Sequence, residues 1–163
     1  MSRVHSLSDP TPILLDHVRL LRGATTVFDD LTLQLHESRI GLIGDNGAGK
    51  SSLFRLICGL DQPQSGSVSV WGHNTQCKPA ERVGLVGMMF QNPDDQIIFP
   101  TVEEELALSL SPNGLPRKVN CQQVRAVLTA RGLAHWAERA IGSLSQGQRQ
   151  HVCWLALMMA SPK

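Results

Sequence analysis

Apolar positions alternate in the first half of this chain and fall at helical spacing in the second. Within residues 27–35, Leu31, Leu33 and Leu35 alternate with Thr32 and Gln34, the period of a half-buried strand. Residues 13–20 carry a similar strand-like pattern, set off by a turn around Gly23. Residues 40–43 are apolar enough for a buried strand. Residues 50–60 place Leu53, Phe54, Leu56 and Ile57 at helical spacing and stop at Gly59. A turn at 63–66 leads to a short strand with Val68, Val70 and Trp71, closed by Gly72. Residues 83–90 read as a further buried strand ending at Gln91.

From Pro93 the pattern becomes helical. Thr101 is an N-cap candidate, with Glu103, Glu104 and Glu105 in the first turn and Leu106, Leu108 and Leu110 behind them. Pro112, Gly114 and Pro116 break that helix. Residues 119–131 form a second one, with Cys121, Val124, Val127 and Leu128 on one face and Gly132 at its end. A third starts at Ser145 and runs through Val152, Leu155, Ala156 and Met159 to Pro162. The expected organisation is a disordered lead-in over 1–12, a β-rich and α/β core over 13–92, a helical subdomain over 93–150, and a helix over 151–163 returning towards the core. The fold class is α/β.

The 163 residues suffice for a real core, and 42% apolar with 18% charged residues is ordinary for a globular protein. A net charge of +1 gives no broad electrostatic footprint for nucleic acid or for membrane lipid. The longest apolar runs are too short to span a bilayer, and the first ten residues lack the apolar stretch of a secretory signal. Any membrane role must come through a partner. Cys58, Cys77, Cys121 and Cys153 are scattered without a CxxC pair, and the six histidines show no ligand spacing, so no metal site is expected from them.

The chemistry begins at residues 44–51. Gly44, Asp45, Asn46, Gly47, Ala48, Gly49, Lys50 and Ser51 make a complete phosphate-binding loop, between an apolar run and a helix as a nucleotide cradle requires. Glycines let backbone N–H groups turn towards phosphate, and the helix N-terminus adds partial positive charge. Lys50 supplies a cation for the β and γ phosphates, and the Ser51 hydroxyl can ligate Mg²⁺. ATP or GTP is the expected ligand. A mere glycine-rich turn would explain Gly47 and Gly49 but not Lys50 and Ser51.

Two further motifs lie downstream. Gln91 places an amide directly after an expected strand, ahead of Asn92, Pro93, Asp94, Asp95 and Gln96. Leu144, Ser145, Gln146, Gly147 and Gln148 open a helix with serine at the cap, a second anion-binding N-terminus. Taken in this order behind a phosphate loop, these residues resemble the ATPase subunit of an ABC transporter. The resemblance covers nearly everything from Ile13 onward. Residues 44–51 match the Walker A loop, and Ser52 stands where threonine is usual. Gln91 matches the Q-loop glutamine. Residues 144–148 match the family's signature sequence, with Gln146 where glycine is commonest. No aromatic stands near residues 20–22 to stack on adenine, so Arg22 is the candidate for that contact. Phe90 to Gln96, and Phe99 to Glu105, resemble the energy-coupling-factor importers of vitamins and metal ions, and most of all their biotin-transport ATPases; cobalt or nickel uptake is the runner-up.

The resemblance implies a cytoplasmic subunit peripheral to the inner membrane, with ATP and Mg²⁺ as cofactors. Its partners would be a second ATPase subunit, identical or paralogous, and integral-membrane coupling and substrate-binding subunits. Lys50 and the loop amides would hold the phosphates. Ser145, Gln146, Gly147 and Gln148 would reach the same nucleotide from the partner subunit. Gln91 would touch Mg²⁺ and the attacking water, and the nearby acids would meet a basic coupling helix. In relatives a strand ending in Asp-Glu follows the signature helix; it is expected beyond Lys163, so these 163 residues are expected to turn ATP over negligibly and to leave residues 40–43 with an unpaired edge. A phosphate-loop kinase or GTPase, a soluble ABC protein, and a non-functional gene fragment remain as alternatives.

Overall fold

A computed structural model describes residues 12–162, which divide into two compact units at Val86 and Gly87. Residues 1–11 of the expected lead-in lie outside the described residues. The division falls a few residues before the expected boundary at 92/93.

The first unit is built on a four-stranded antiparallel sheet. Its strands are β1 (Ile13–Arg22), β2 (Thr25–Leu35), β3 (Ser65–Val70) and β4 (His73–Asn74), in the order β2-β1-β3-β4. Gly23, at φ 58°, turns β1 into β2. Side chains should alternate along β1, yet the buried ones are Leu15, Val18 and Leu20, a change of parity. An irregularity between Leu15 and Val18 accounts for it: His17 adopts φ 50°, opposite Asp30 at φ 60° in β2. The extra residue returns the downstream leucine to the core face. His17 Nδ1 and Asp30 Oδ1 approach to 2.5 Å across the bulge. The carbonyls of Asp16 and His17 turn towards Gly66 of β3, where a Cβ would lie only 2.4 and 2.3 Å from them. Only glycine fits there. Helix α1 (Lys50–Ile57) lays Leu53, Leu56 and Ile57 on the core with Leu15, Val18, Leu20, Val68 and Val70, while Phe54 faces out. A short helix α2 (Pro79–Val83) follows.

Two sequence expectations fail in this unit. Residues 40–43 form no strand, and Ile43 is 96% exposed. Among the described residues no strand pairs with them, so no ladder fixes their backbone and no side-chain layer covers them. Residues 83–90 likewise form no strand: α2 extends to Val83, a turn follows, and the rest is irregular and mostly half-buried. Apolarity is present in both segments, but the hydrogen-bonding neighbours a strand requires are not.

The second unit packs α3 (Val102–Ser109), α4 (Arg117–Ala130) and α5 (Gln146–Ala160) around one core. Val102, Leu106, Val124, Leu128, Val152 and Leu155 are fully buried there. All three helices lie where capping and spacing predict them. Thr101 caps α3, its Oγ1 accepting from Glu104 N–H at 3.4 Å and donating to Glu104 Oε2 at 2.8 Å. The first amides of α3 are taken up by a neighbouring segment: Val102 N–H donates to Arg139 O and Glu103 N–H to Ala137 O. The buried Glu105 accepts from Ile98 and Phe99 N–H at 2.9 and 2.8 Å, tying down the chain ahead of α3. Single 3₁₀ turns at Pro93–Asp95, Ser111–Asn113, Ala134–Trp136 and Ile141–Ser143 complete the unit. No helix among the described residues is long and apolar enough to cross a membrane.

Candidate functional site

The loop at 44–51 leads directly into α1. Gly47 and Gly49 adopt φ 87° and 90°, the left-handed region that glycine enters without strain. A Cβ on Gly49 would meet Val27 and Phe28 of β2 at 3.1 Å, so the loop's end rests closely on the sheet. Ala48 N–H donates to Asp45 O at 3.2 Å and closes the turn. The amides of Asn46, Gly47, Gly49, Lys50, Ser51 and Ser52 take no acceptor among the described residues. α1 has neither a side-chain cap nor an acid in its first turn. The N-terminal field is therefore uncompensated, unlike that of α3, where three glutamates and a threonine cap meet it. Lys50 Nζ donates to the carbonyls of Gly44 and Asp45, each at 2.7 Å, which holds the ammonium across its own loop. A ring of free amides beside a fixed ammonium suits an anion with several oxygens, and the exposed Ser51 hydroxyl can add a hard-cation ligand next to it.

In the second unit, Gln91 is exposed and precedes the 3₁₀ turn at Pro93–Asp95, which Asn92 caps by accepting from Asp94 N–H. Ser145 caps α5 in a reciprocal box. Its Oγ accepts from Gln148 N–H at 3.2 Å, while Gln148 Oε1 accepts from Ser145 N–H at 2.9 Å. Ser145, Gln146 and Gly147 are exposed, and the amides of Gln146 and Gly147 take no acceptor among the described residues. The Ser145 hydroxyl proton remains available to an external anion. A residue that sequence reasoning did not single out links these two motifs. Arg149, in the first turn of α5, approaches Asp94 with Nε 3.2 Å from Oδ1. The approach is ionic rather than aligned, since Arg149 Nε makes no hydrogen bond. The only sequence signal was a basic residue beside the capping box.

Arg22 is not drawn to the phosphate loop. Its guanidinium hydrogen-bonds Asp61, which also accepts from Arg55 Nε at 2.9 Å and Nη2 at 3.1 Å. Burial alone would raise the Asp61 carboxyl, but the hydrogen bonds and charges of Arg55 and Arg22 hold it below the usual carboxylate range. A carboxyl depressed by folding stabilises above its unfolded pKa of about 4 and loses that contribution as pH falls through the folded value. Thermal melts between about pH 3 and 7 should thus show a drop below about pH 4 that Asp61→Asn flattens; parallel profiles would refute the role of this pair. The acids expected to face a coupling helix have partners of their own. Glu103 pairs with Arg125 at 2.6 Å, Glu104 with Arg117 at 2.6 Å, and Asp94 with Arg149. Among the described residues no cluster of His, Cys, Asp and Glu is arranged to hold a metal.

Residues 28–163 match the family model described as ABC transporter. The chain is 50% identical over 148 residues to a biotin transport ATP-binding protein of Rhodobacter capsulatus, covering 91% of this chain and 63% of that protein. It is 35% identical over 162 residues to an energy-coupling factor transporter ATP-binding protein of Ligilactobacillus salivarius, covering 97% of this chain and 57% of that one. Among solved structures, a Clostridium perfringens protein described as part of the ABC transporter complex cbiONQ superposes with a TM-score of 0.73 at 21% identity, covering 95% of this chain and 64% of the other. That likeness establishes the fold. The chain thus spans under two thirds of the length of these relatives.

Proposed function

The chain belongs to the ABC transporter family, and from that premise we propose that it is the ATP-binding subunit of an energy-coupling-factor importer, with biotin as the transported solute. The observation that carries the nucleotide reading is the loop at 44–51, with its unbonded amides and an ammonium held across its mouth. The 50% identity to a biotin transport ATP-binding protein supports the solute. Gly44, Asp45, Asn46, Gly47, Ala48, Gly49, Lys50, Ser51 and Ser52 bind the triphosphate, and Lys50 exchanges a loop carbonyl for a phosphate oxygen. Bound Mg²⁺ would neutralise phosphate oxygens during hydrolysis, with the Ser51 hydroxyl as a protein ligand. Arg22 remains the candidate for the adenine contact, its guanidinium edge hydrogen-bonded to Asp61.

Ser145 with the amides of Gln146 and Gly147 forms the second anion site, and it acts on the nucleotide held by a partner ATPase subunit. Ser145 Oγ accepts the cap hydrogen bond from Gln148 N–H, which leaves its own proton for another acceptor. ATP then joins the two subunits, and its hydrolysis separates them. An integral-membrane partner carries the solute and keeps this subunit at the cytoplasmic face.

Ser145→Arg tests the trans role. It should leave ATP affinity of the monomer within about twofold, because the loop is untouched, yet abolish ATP-driven dimerisation measured by light scattering. Dimers forming normally would sink the assignment. Uptake of labelled biotin should fall to background in cells whose copy of the gene is disrupted; unchanged uptake would remove biotin as the solute.

A further inference from the structure

Strands β1 and β2 each take up an extra residue at neighbouring places. From Leu15 to Val18 the ladder takes three steps along β1 against two along β2, Leu33 to Leu31. From Val18 to Leu20 it takes two against three, Leu31 to Phe28. The two offsets cancel, so Leu20 and Phe28 pair as they would without either bulge. Each bulge is turned by a residue other than glycine in the left-handed region, His17 at φ 50° and Asp30 at φ 60°, which costs energy that contacts must offset. His17 N–H donates to Thr32 Oγ1 at 3.2 Å, and His17 Nδ1 lies 2.5 Å from Asp30 Oδ1, joining one bulge to the other.

The charges around the ring are mostly acidic. On β1, Asp16 Oδ1 lies 4.0 Å from His17 Nε2. On β2, Asp30 faces the ring, and Asp29 pairs with Arg19 at 3.4 Å. β3 brings Ser65, Gly66 and Ser67 to this stretch, none of them charged. The hydrogen bond to Asp30, and then the charges of Asp30 and Asp16, hold the imidazole above its ordinary value of about 6.5. The pair therefore stabilises fully below that value, and its contribution is lost as pH rises through the folded one. A neutral ring leaves Asp16, Asp29 and Asp30 with Arg19 alone. Both bulged side chains are exposed, so solvent protons reach them. Phe28 stands two residues from Asp30 in β2, and the end of the phosphate loop rests on it: a Cβ on Gly49 would meet its ring at 3.1 Å. We propose that His17 and Asp30 form a pH-operated clasp on the two bulges, closed when the imidazole is charged, and that its state sets how firmly β2 backs the phosphate loop. The effect on nucleotide rests on the phosphate reading above; the clasp does not.

The test is a pH titration of the isotopically labelled chain between about pH 5.5 and 8.5, followed by nuclear magnetic resonance. The His17 ring should titrate above about 6.5, and the Gly49 amide signal should move with the same midpoint. Asp30→Asn keeps a residue that tolerates the left-handed region and removes the charge. It should bring the His17 midpoint down and uncouple Gly49 from it. His17→Asn removes the titrating ring instead and should also abolish that response, which decides the matter if Asp30→Asn fails to give a native spectrum. For ADP, the ratio of affinity at pH 7 to that at pH 8.5 should be about two- to fivefold greater in the unsubstituted chain than in His17→Asn, the scale of a surface ion pair. Comparing ratios cancels the nucleotide's own ionisation. A Gly49 signal that follows His17 in a chain that binds no ADP would uphold the clasp and remove the nucleotide reading. A His17 midpoint at or below about 6.5, a Gly49 signal that ignores the ring, or the same Gly49 response in His17→Asn would each overturn the proposal.

Discussion

Lys50→Ala should lower affinity for ATP and for ADP by roughly 10- to 150-fold and leave affinity for AMP unchanged. A charge-assisted hydrogen bond is worth about 1.5–3 kcal/mol, which sets that range. The selectivity between nucleotides follows from reach. The ammonium is held at the carbonyls of Gly44 and Asp45, within the loop where the outer phosphates would sit, so AMP offers it nothing. The fold itself should lose little. Those two carbonyls lie in an exposed loop and can turn to water when the ammonium goes. A melting temperature close to that of the unsubstituted chain therefore accompanies the binding defect, which separates a lost phosphate contact from a damaged loop. Calorimetric titration with the three nucleotides makes the measurement. Equal losses for AMP and ATP, or no loss at all, would show that Lys50 is not the phosphate ligand.

The phosphate loop was legible because its chemistry is local. Glycines, lysine and serine at fixed offsets, followed by a helical pattern, specify one loop geometry without help from distant residues. The same holds for the caps at Thr101 and Ser145, whose hydrogen bonds span three residues. What the sequence concealed depends on remote neighbours. The apolar run at 40–43 shows a need for burial but not which strand would answer it, and no strand among the described residues pairs with it. The bulge at His17 is invisible to an alternation count, since its purpose is to change the parity of that count. Arg22 is a stacking candidate by position alone; its hydrogen-bond partner Asp61 lies 39 residues away, and nothing in the local sequence joins the two. Gln91, Ser145 and Gly147 stand in exposed positions consistent with ligand contact, and the link between their motifs through Asp94 and Arg149 became visible only once helix packing was known.

The leucines at the end of α3 give the second large effect. Two residues advance a helix by about 200°, so Leu108 faces away from Leu106 and Leu110. Leu106 is fully buried among Val102, Val124, Leu128, Val152 and Leu155, and Leu110 returns to the same side, whereas Leu108 is 38% exposed. Leu106→Ala should then cost about 2–5 kcal/mol, from lost transfer energy and from a cavity that three helices are too constrained to close. Leu108→Ala removes the same atoms from a half-wet position and should cost under about 1 kcal/mol. Chemical denaturation followed by fluorescence measures both, because Trp136 sits in the same core as Leu106 and reports its unfolding. Similar losses for the two variants would mean that α3 is rotated about its axis relative to the arrangement described. Glu103 and Glu104 would then leave Arg125 and Arg117.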